Sequence, residues 1–140
     1  MRVIVTGGGT GGHIYPALAI ADKFKEMDPD TEILYVGNDE GIEKEIVPKA
    51  GYRLELVDAR WLNKSNIWQL LRTGARVTKG LLEAGKVMRK FKPDVVIGTG
   101  GYVCFPVILA GKMYGAATYL HEQNAYPRLA NRTLEKYVKN

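Results

Sequence analysis

Thr6-Gly7-Gly8-Gly9-Thr10-Gly11-Gly12-His13 follows the apolar run Val3-Ile4-Val5 and opens the amphipathic run from Ile14 to Met27. An apolar strand, a glycine turn and a helix in direct succession are the start of a parallel α/β sheet. Five of the eight turn residues are glycine, so the backbone can take positive φ and approach a ligand with no Cβ in between. At a helix mouth, free N–H groups and the positive dipole end make such a turn an anion seat, most naturally for phosphate.

Gly7, Gly9 and Gly12 meet the G-x-G-x-x-G spacing of dinucleotide sites in the required strand-to-helix setting. A nicotinamide or flavin site also needs an acid closing the second strand about 20 residues on. Here Ile33-Leu34-Tyr35-Val36 ends in Gly37-Asn38, and Asp39 and Glu40 come late. A Walker A loop fits worse, because His13-Ile14 stands where Lys-Ser/Thr must grip phosphate and magnesium. The third reading takes Gly7 to Ala19, GGGTGGHIYPALA, as one signature.

The 140 residues suit one domain with a real core. With 46% hydrophobic and 25% charged residues the balance is that of a soluble globular chain. Its apolar runs fall short of the ~18 residues of a spanning helix. Arg2 to Thr6 runs straight into glycine, which reads as a buried strand rather than a signal peptide. Cys104 is the single cysteine; no intrachain disulfide can form, and a reducing cytoplasm is the expected compartment. Neither His13 nor His121 lies near Cys104 in sequence, so no metal site and no cofactor are expected.

Short apolar runs alternate with helical patterns along the chain. Strands are expected at Arg2–Thr6, Thr31–Val36, Tyr52–Val57, Val95–Gly98 and Thr118–His121. Helices are expected near Tyr15–Met27, Gly41–Ala50, Ile67–Phe91, Pro106–Tyr114 and Arg128–Val138. This alternation predicts a Rossmann-like, doubly wound parallel sheet with right-handed crossovers. A strand order of 3-2-1-4-5 would open a ligand crevice beyond the strand ends between the first and fourth strands.

Charge is concentrated in one stretch. Asp58 to Lys92 holds nine Lys/Arg against two Asp/Glu, more than the whole chain's net +5. On a helical wheel, Ile67, Leu70, Gly74, Val77, Leu81, Gly85 and Met88 share one side. Arg72, Arg76, Lys79, Lys86 and Lys90 fall within an arc of about 80° opposite, with Trp68 among them. Together with Trp61 this fits a helix resting on an anionic bilayer, against the alternative of a solvated face. No nucleic-acid motif accompanies the charge, so nucleic acid is not expected as a partner.

Two further turns carry polar or glycine-rich sequence at strand ends. Gly98-Thr99-Gly100-Gly101-Tyr102 follows the fourth strand; it would face the first turn across the crevice, where Gly100 and Gly101 add N–H groups for a diphosphate. Tyr102 either packs or offers its hydroxyl. His121-Glu122-Gln123-Asn124 follows the fifth strand, at the edge where this architecture places ligands; capping of the next helix is the plainer alternative.

The signature Gly7–Ala19, the second glycine turn and His121-Glu122-Gln123-Asn124 occur in the order found in glycosyltransferase family 28. The chain resembles the N-terminal domain of that family over essentially its whole length. Phe105 and Arg128 depart from the family pattern, where a small residue and a glycine are common. The resemblance implies the N-terminal, acceptor-binding half of a GT-B enzyme at residues 1–140, with the donor-binding domain outside this chain. It implies an inverting transfer of N-acetylglucosamine from UDP-GlcNAc to the C4 hydroxyl of undecaprenyl-pyrophosphoryl-MurNAc-pentapeptide, lipid I. The product would be lipid II of peptidoglycan synthesis, made at the cytoplasmic face of the cell membrane. By the same resemblance Thr10, Gly11, Gly12 and Asn124 touch the donor, and His13, Tyr102, His121 and Glu122 serve the acceptor.

Inverting transfer needs a base for the acceptor hydroxyl. Imidazole titrates in the right range, which favours His13, with Glu122 as rival and a buried structural His13 as the alternative. Two other functions stay open at this point: an NAD(P)-binding Rossmann protein, and a non-catalytic subunit recruiting a split glycosyltransferase to the membrane.

Overall fold

The structure, a computed structural model, describes residues 1–59, 74–123, 134–135 and 138, and for 74–78 the backbone alone. Five strands, β1 (Arg2–Thr6), β2 (Glu32–Asn38), β3 (Arg53–Val57), β4 (Val95–Gly98) and β5 (Ala117–Leu120), pair in the order β3-β2-β1-β4-β5. All four pairings are parallel. The helices between them are α1 (Gly11–Met27), α2 (Glu43–Lys49), α3 (Gly74–Phe91) and α4 (Cys104–Met113). The expected order is therefore observed.

Apolar side chains on both faces of the sheet explain the double winding. Val3, Ile4 and Val5 of the central strand β1 are all fully buried. Val3 and Val5 join Ile14, Ala17 and Ala21 of α1 and Val47 of α2 in one core. Ile4 points the other way, into a core with Ala84 and Met88 of α3 and Val107 and Ile108 of α4. One strand thus anchors two layers, as period-two alternation requires.

Element boundaries shift where backbone partners outweigh local preference. The strand β2 continues past Val36 because Gly37 and Asn38 pair with Leu56 and Val57 of β3. The helix α1 begins at Gly11, ahead of the expected Tyr15. In α4, which starts at Cys104, Pro106 falls in the first turn, where a missing N–H costs little. Of the expected helix Arg128–Val138 only Leu134, Glu135 and Val138 are described; Leu134 is helical and fully buried. The expected helical stretch from Ile67 to Thr73 lies outside the described residues.

Close seating of α4 on the sheet depends on Gly111, where a Cβ would stand 2.8 Å from Cγ2 of Val96. Gly111→Val should therefore cost about 2–3 kcal/mol by overpacking, read as a lower urea midpoint with an unchanged far-ultraviolet spectrum.

Candidate functional site

Register places three turns on one edge. Thr6 pairs with Gly98, and Gly98 with Leu120, so the chain leaves β1, β4 and β5 at the same level. The His121 N–H still bonds the Gly98 carbonyl at 2.7 Å. The first and second glycine turns then meet directly, with the Gly8 N–H donating to the Gly100 carbonyl at 3.2 Å. Gly101, at φ 90°, lies so close that a Cβ there would strike the Gly8 backbone. Gly100, at φ 122°, covers the His13 ring, and a Cβ would stand 2.6 Å from its Cδ2.

Buried polar groups hold the first turn from behind. The Tyr35 hydroxyl donates to the Gly7 carbonyl at 2.7 Å, and the Thr99 hydroxyl to the His13 carbonyl at 2.6 Å. Burial, with nearby Cys104 and Glu43 adding to it, pushes the Tyr35 hydroxyl pKa up, so it remains a donor at neutral pH. Glu43 is fully buried; it accepts the Asn38 N–H at 2.7 Å and makes a longer contact, 3.5 Å, to the Gly9 N–H.

His13 is only 6% exposed. Its Nδ1 lies 3.0 Å from the Gly8 carbonyl and 3.3 Å from the Thr10 hydroxyl. A carbonyl cannot donate, so Nδ1 carries the proton and the lone pair of the neutral ring sits on Nε2. That nitrogen is the one beside Gly100. The expected base and the expected structural histidine are thus compatible in one residue: one nitrogen braces the turn, the other is an acceptor.

Two helix N-termini, those of α1 and α4, end at these turns. Neither α1 nor α4 has an acid in its first turn or a side-chain cap; Thr10, at the α1 N-cap, turns its hydroxyl to His13 instead. By contrast α2 carries Glu43 and Glu45 in its first turn. Uncapped positive ends beside glycine backbone form a seat for an anion.

Pro16 links the first turn to the third. It lies inside α1 and has no N–H for the carbonyl four residues back, Gly12. The Gln123 side-chain amide donates to that Gly12 carbonyl at 2.6 Å. A proline in one signature thereby leaves an acceptor for a glutamine in another.

The remaining expected site residues fall as follows. Gly11 and Gly12 form the first turn of α1; Tyr102 is 43% exposed at the second turn. His121 is exposed and Glu122 half-buried, both just beyond β5. Asn124 lies outside the described residues, as do Trp61, Trp68 and Arg72 and the side chain of Arg76. Lys79 lies 3.5 Å from Asp58 and 3.8 Å from Glu83, so much of its charge is matched within the protein. Leu82, 61% exposed, and Lys86 share the outer side of α3. Glu43 and Gln123 are the residues that sequence reasoning left without a role.

Among the described residues no three His, Cys, Asp or Glu are placed to hold a metal ion. Among them, too, no helix is long and apolar enough to cross a membrane.

A model described as the glycosyltransferase family 28 N-terminal domain matches residues 3–140. The chain belongs to that family. This family 28 domain is 51% identical over 138 residues to the UDP-N-acetylglucosamine--N-acetylmuramyl-(pentapeptide) pyrophosphoryl-undecaprenol N-acetylglucosamine transferase of Alkaliphilus oremlandii, covering 99% of this chain and 38% of that protein. It is 49% identical to the same-named transferase of Lactococcus lactis subsp. cremoris, covering 99% of this chain and 39% of the relative. The domain therefore spans less than two-fifths of the curated relatives it matches. Among solved structures, MurG of Acinetobacter baumannii superposes with a TM-score of 0.85 at 28% identity, over 99% of this chain and 40% of that one. The Streptomyces glycosyltransferase SsfS6, at 18% identity and a TM-score of 0.67 over 98% of this chain and 44% of its own, shares the fold.

Two outcomes test the site geometry. Gln123→Ala should lower stability by about 1 kcal/mol, but by close to nothing on a Pro16→Ala background, where the new amide at position 16 takes over the Gly12 carbonyl. A urea double-mutant cycle measures the difference. The buried Cys104 thiol is pushed from 9.0 up to about 11 by burial, against the opposing effect of hydrogen bonds, first from the Gly100 backbone. The unfolded chain therefore loses this proton first. The thiol's contribution to stability should be complete below pH 9, fall between pH 9 and about 11, and vanish as a pH dependence in Cys104→Ala.

Proposed function

We propose that this domain is the acceptor-binding half of an inverting glycosyltransferase moving N-acetylglucosamine from UDP-GlcNAc to the C4 hydroxyl of lipid I, giving lipid II. The observation that carries this reading is the meeting of two uncapped helix ends and two glycine turns at one sheet edge, in a chain half identical to named transferases of that reaction. Both substrates are pyrophosphate esters, and such an edge suits that group without a metal.

In this reading the N–H groups of Thr10, Gly11 and Gly12, with Asn124, meet the donor diphosphate as UDP departs. Gly100, Gly101, Tyr102 and His121 line the acceptor side. His13 presents Nε2 as first candidate for the proton of the C4 hydroxyl, and Glu122 is the second. Nucleotide contacts mostly belong to a donor-binding domain beyond residue 140, so this domain alone should bind acceptor without turnover. The basic stretch that holds Trp61, Trp68, Arg72, Arg76 and Lys79 would rest on anionic lipid and hold the enzyme peripherally on the inner leaflet, with Lys79 contributing least because Asp58 and Glu83 already match much of its charge.

An extended chain of the relatives' length should release UDP only when lipid I is present. No release under any lipid condition, or micromolar NAD(H) binding by the domain, would overturn the reading. His13→Asn and Glu122→Gln should each lower kcat, and the one that holds the base should also remove the acidic limb of the pH–rate profile. Flotation with anionic vesicles should weaken in Trp68→Ala combined with Arg72→Glu; unchanged flotation removes the membrane face.

A further inference from the structure

Glu43 is a fully buried carboxylate that the proposed reaction does not use. A buried carboxylate is costly unless its oxygens find donors, and Glu43 takes them from two separate segments. Oε1 accepts the Asn38 N–H at 2.7 Å at the end of β2, and Oε2 lies 3.5 Å from the Gly9 N–H in the first glycine turn. Its position at the start of α2 adds the favourable field of that helix end.

Three glycines make room for this side chain. A Cβ at Gly8, Gly37 or Gly41 would collide with it. Gly8 belongs to the first turn, Gly37 to β2 and Gly41 to the approach to α2, so the carboxylate sits where three backbone segments converge. Gly9 is at φ 85°, and a Cβ built there would meet nothing within 4 Å; its N–H contact to Glu43 runs inward, to a buried side chain.

We propose that Glu43 is a positioning residue for the anion seat. Its carboxylate engages the Gly9 N–H from inside the protein and fixes the turn so that the following N–H groups of Thr10, Gly11 and Gly12 face outward to a pyrophosphate. This deepens the proposed function and rests on it for the identity of the ligand, but not for the brace itself. Glu43→Gln keeps the shape and one acceptor oxygen, while its amide nitrogen places a donor against a donor at the other N–H.

The test uses the nitrogen-15-labelled 140-residue chain and two readouts. In the wild type, Gly9 should exchange its amide proton at least tenfold more slowly than Gly11 and Gly12; equal rates would overturn the brace, and this measurement does not depend on any variant folding. In Glu43→Gln, the amides of Gly9 to Gly12 should shift, Gly9 protection should be lost, and inorganic pyrophosphate should bind about tenfold more weakly. Glu43→Asp, which keeps the charge but shortens the reach, should recover less than half of that loss. A folded Glu43→Gln chain with a lower Tm and unchanged turn amides and pyrophosphate affinity would make Glu43 a merely structural residue and sink the proposal. Absence of pyrophosphate binding by the wild type would instead remove the anion seat, leaving the brace decided by the exchange rates.

Discussion

Two backbones touching at Gly8 and Gly100 are the constraint on which the site depends. The 3.2 Å hydrogen bond between them, with Gly101 pressed on Gly8, is possible only where neither turn carries a side chain inward. Because β1 and β4 are neighbours in register, this contact fixes the separation of the two helix mouths. Everything placed on the edge, from the His13 ring to the Gln123 amide, takes its position from that spacing.

Polar satisfaction supports this contact. Tyr35, Thr99, His13 and Gln123 each direct a side-chain donor at a carbonyl of the first turn or its helix. Carbonyls of the first turn and its helix are thereby satisfied by side chains, while among the described residues neither α1 nor α4 has a side-chain cap. The division is electrostatic as well as geometric, since main-chain N–H groups at a helix mouth carry positive partial charge.

Much of the fold was legible in the sequence, because its signals are local. Alternating apolar runs and glycine or proline junctions placed all five strands to within two residues and predicted their order, and β1 and β4 were read to their exact observed bounds. The start of α1 was not legible: Gly11 and Gly12 have poor intrinsic helix preference, and the turn that precedes them is held by contacts distant in sequence. Glu43 and Gln123 escaped for a related reason. Gln123 reaches a backbone carbonyl 111 residues away, and Glu43 joins the nearby Asn38 N–H to the Gly9 N–H 34 residues away; neither side-chain type announces a backbone partner. Pro16 could have given the signal for Gln123, since a proline beyond the first turn of a helix leaves the carbonyl four residues back without its usual donor.

The uncapped mouths of α1 and α4 have a consequence for how such a protein is dissected. Groups that belong to the main chain are present whatever residue occupies the position, so truncating side chains one at a time passes over them. An alanine survey of this edge would score the aromatic and ionisable residues and under-report the peptide groups. Changes that bend the chain, or chemical replacement of single amides by esters, are the perturbations to which this part of the molecule responds.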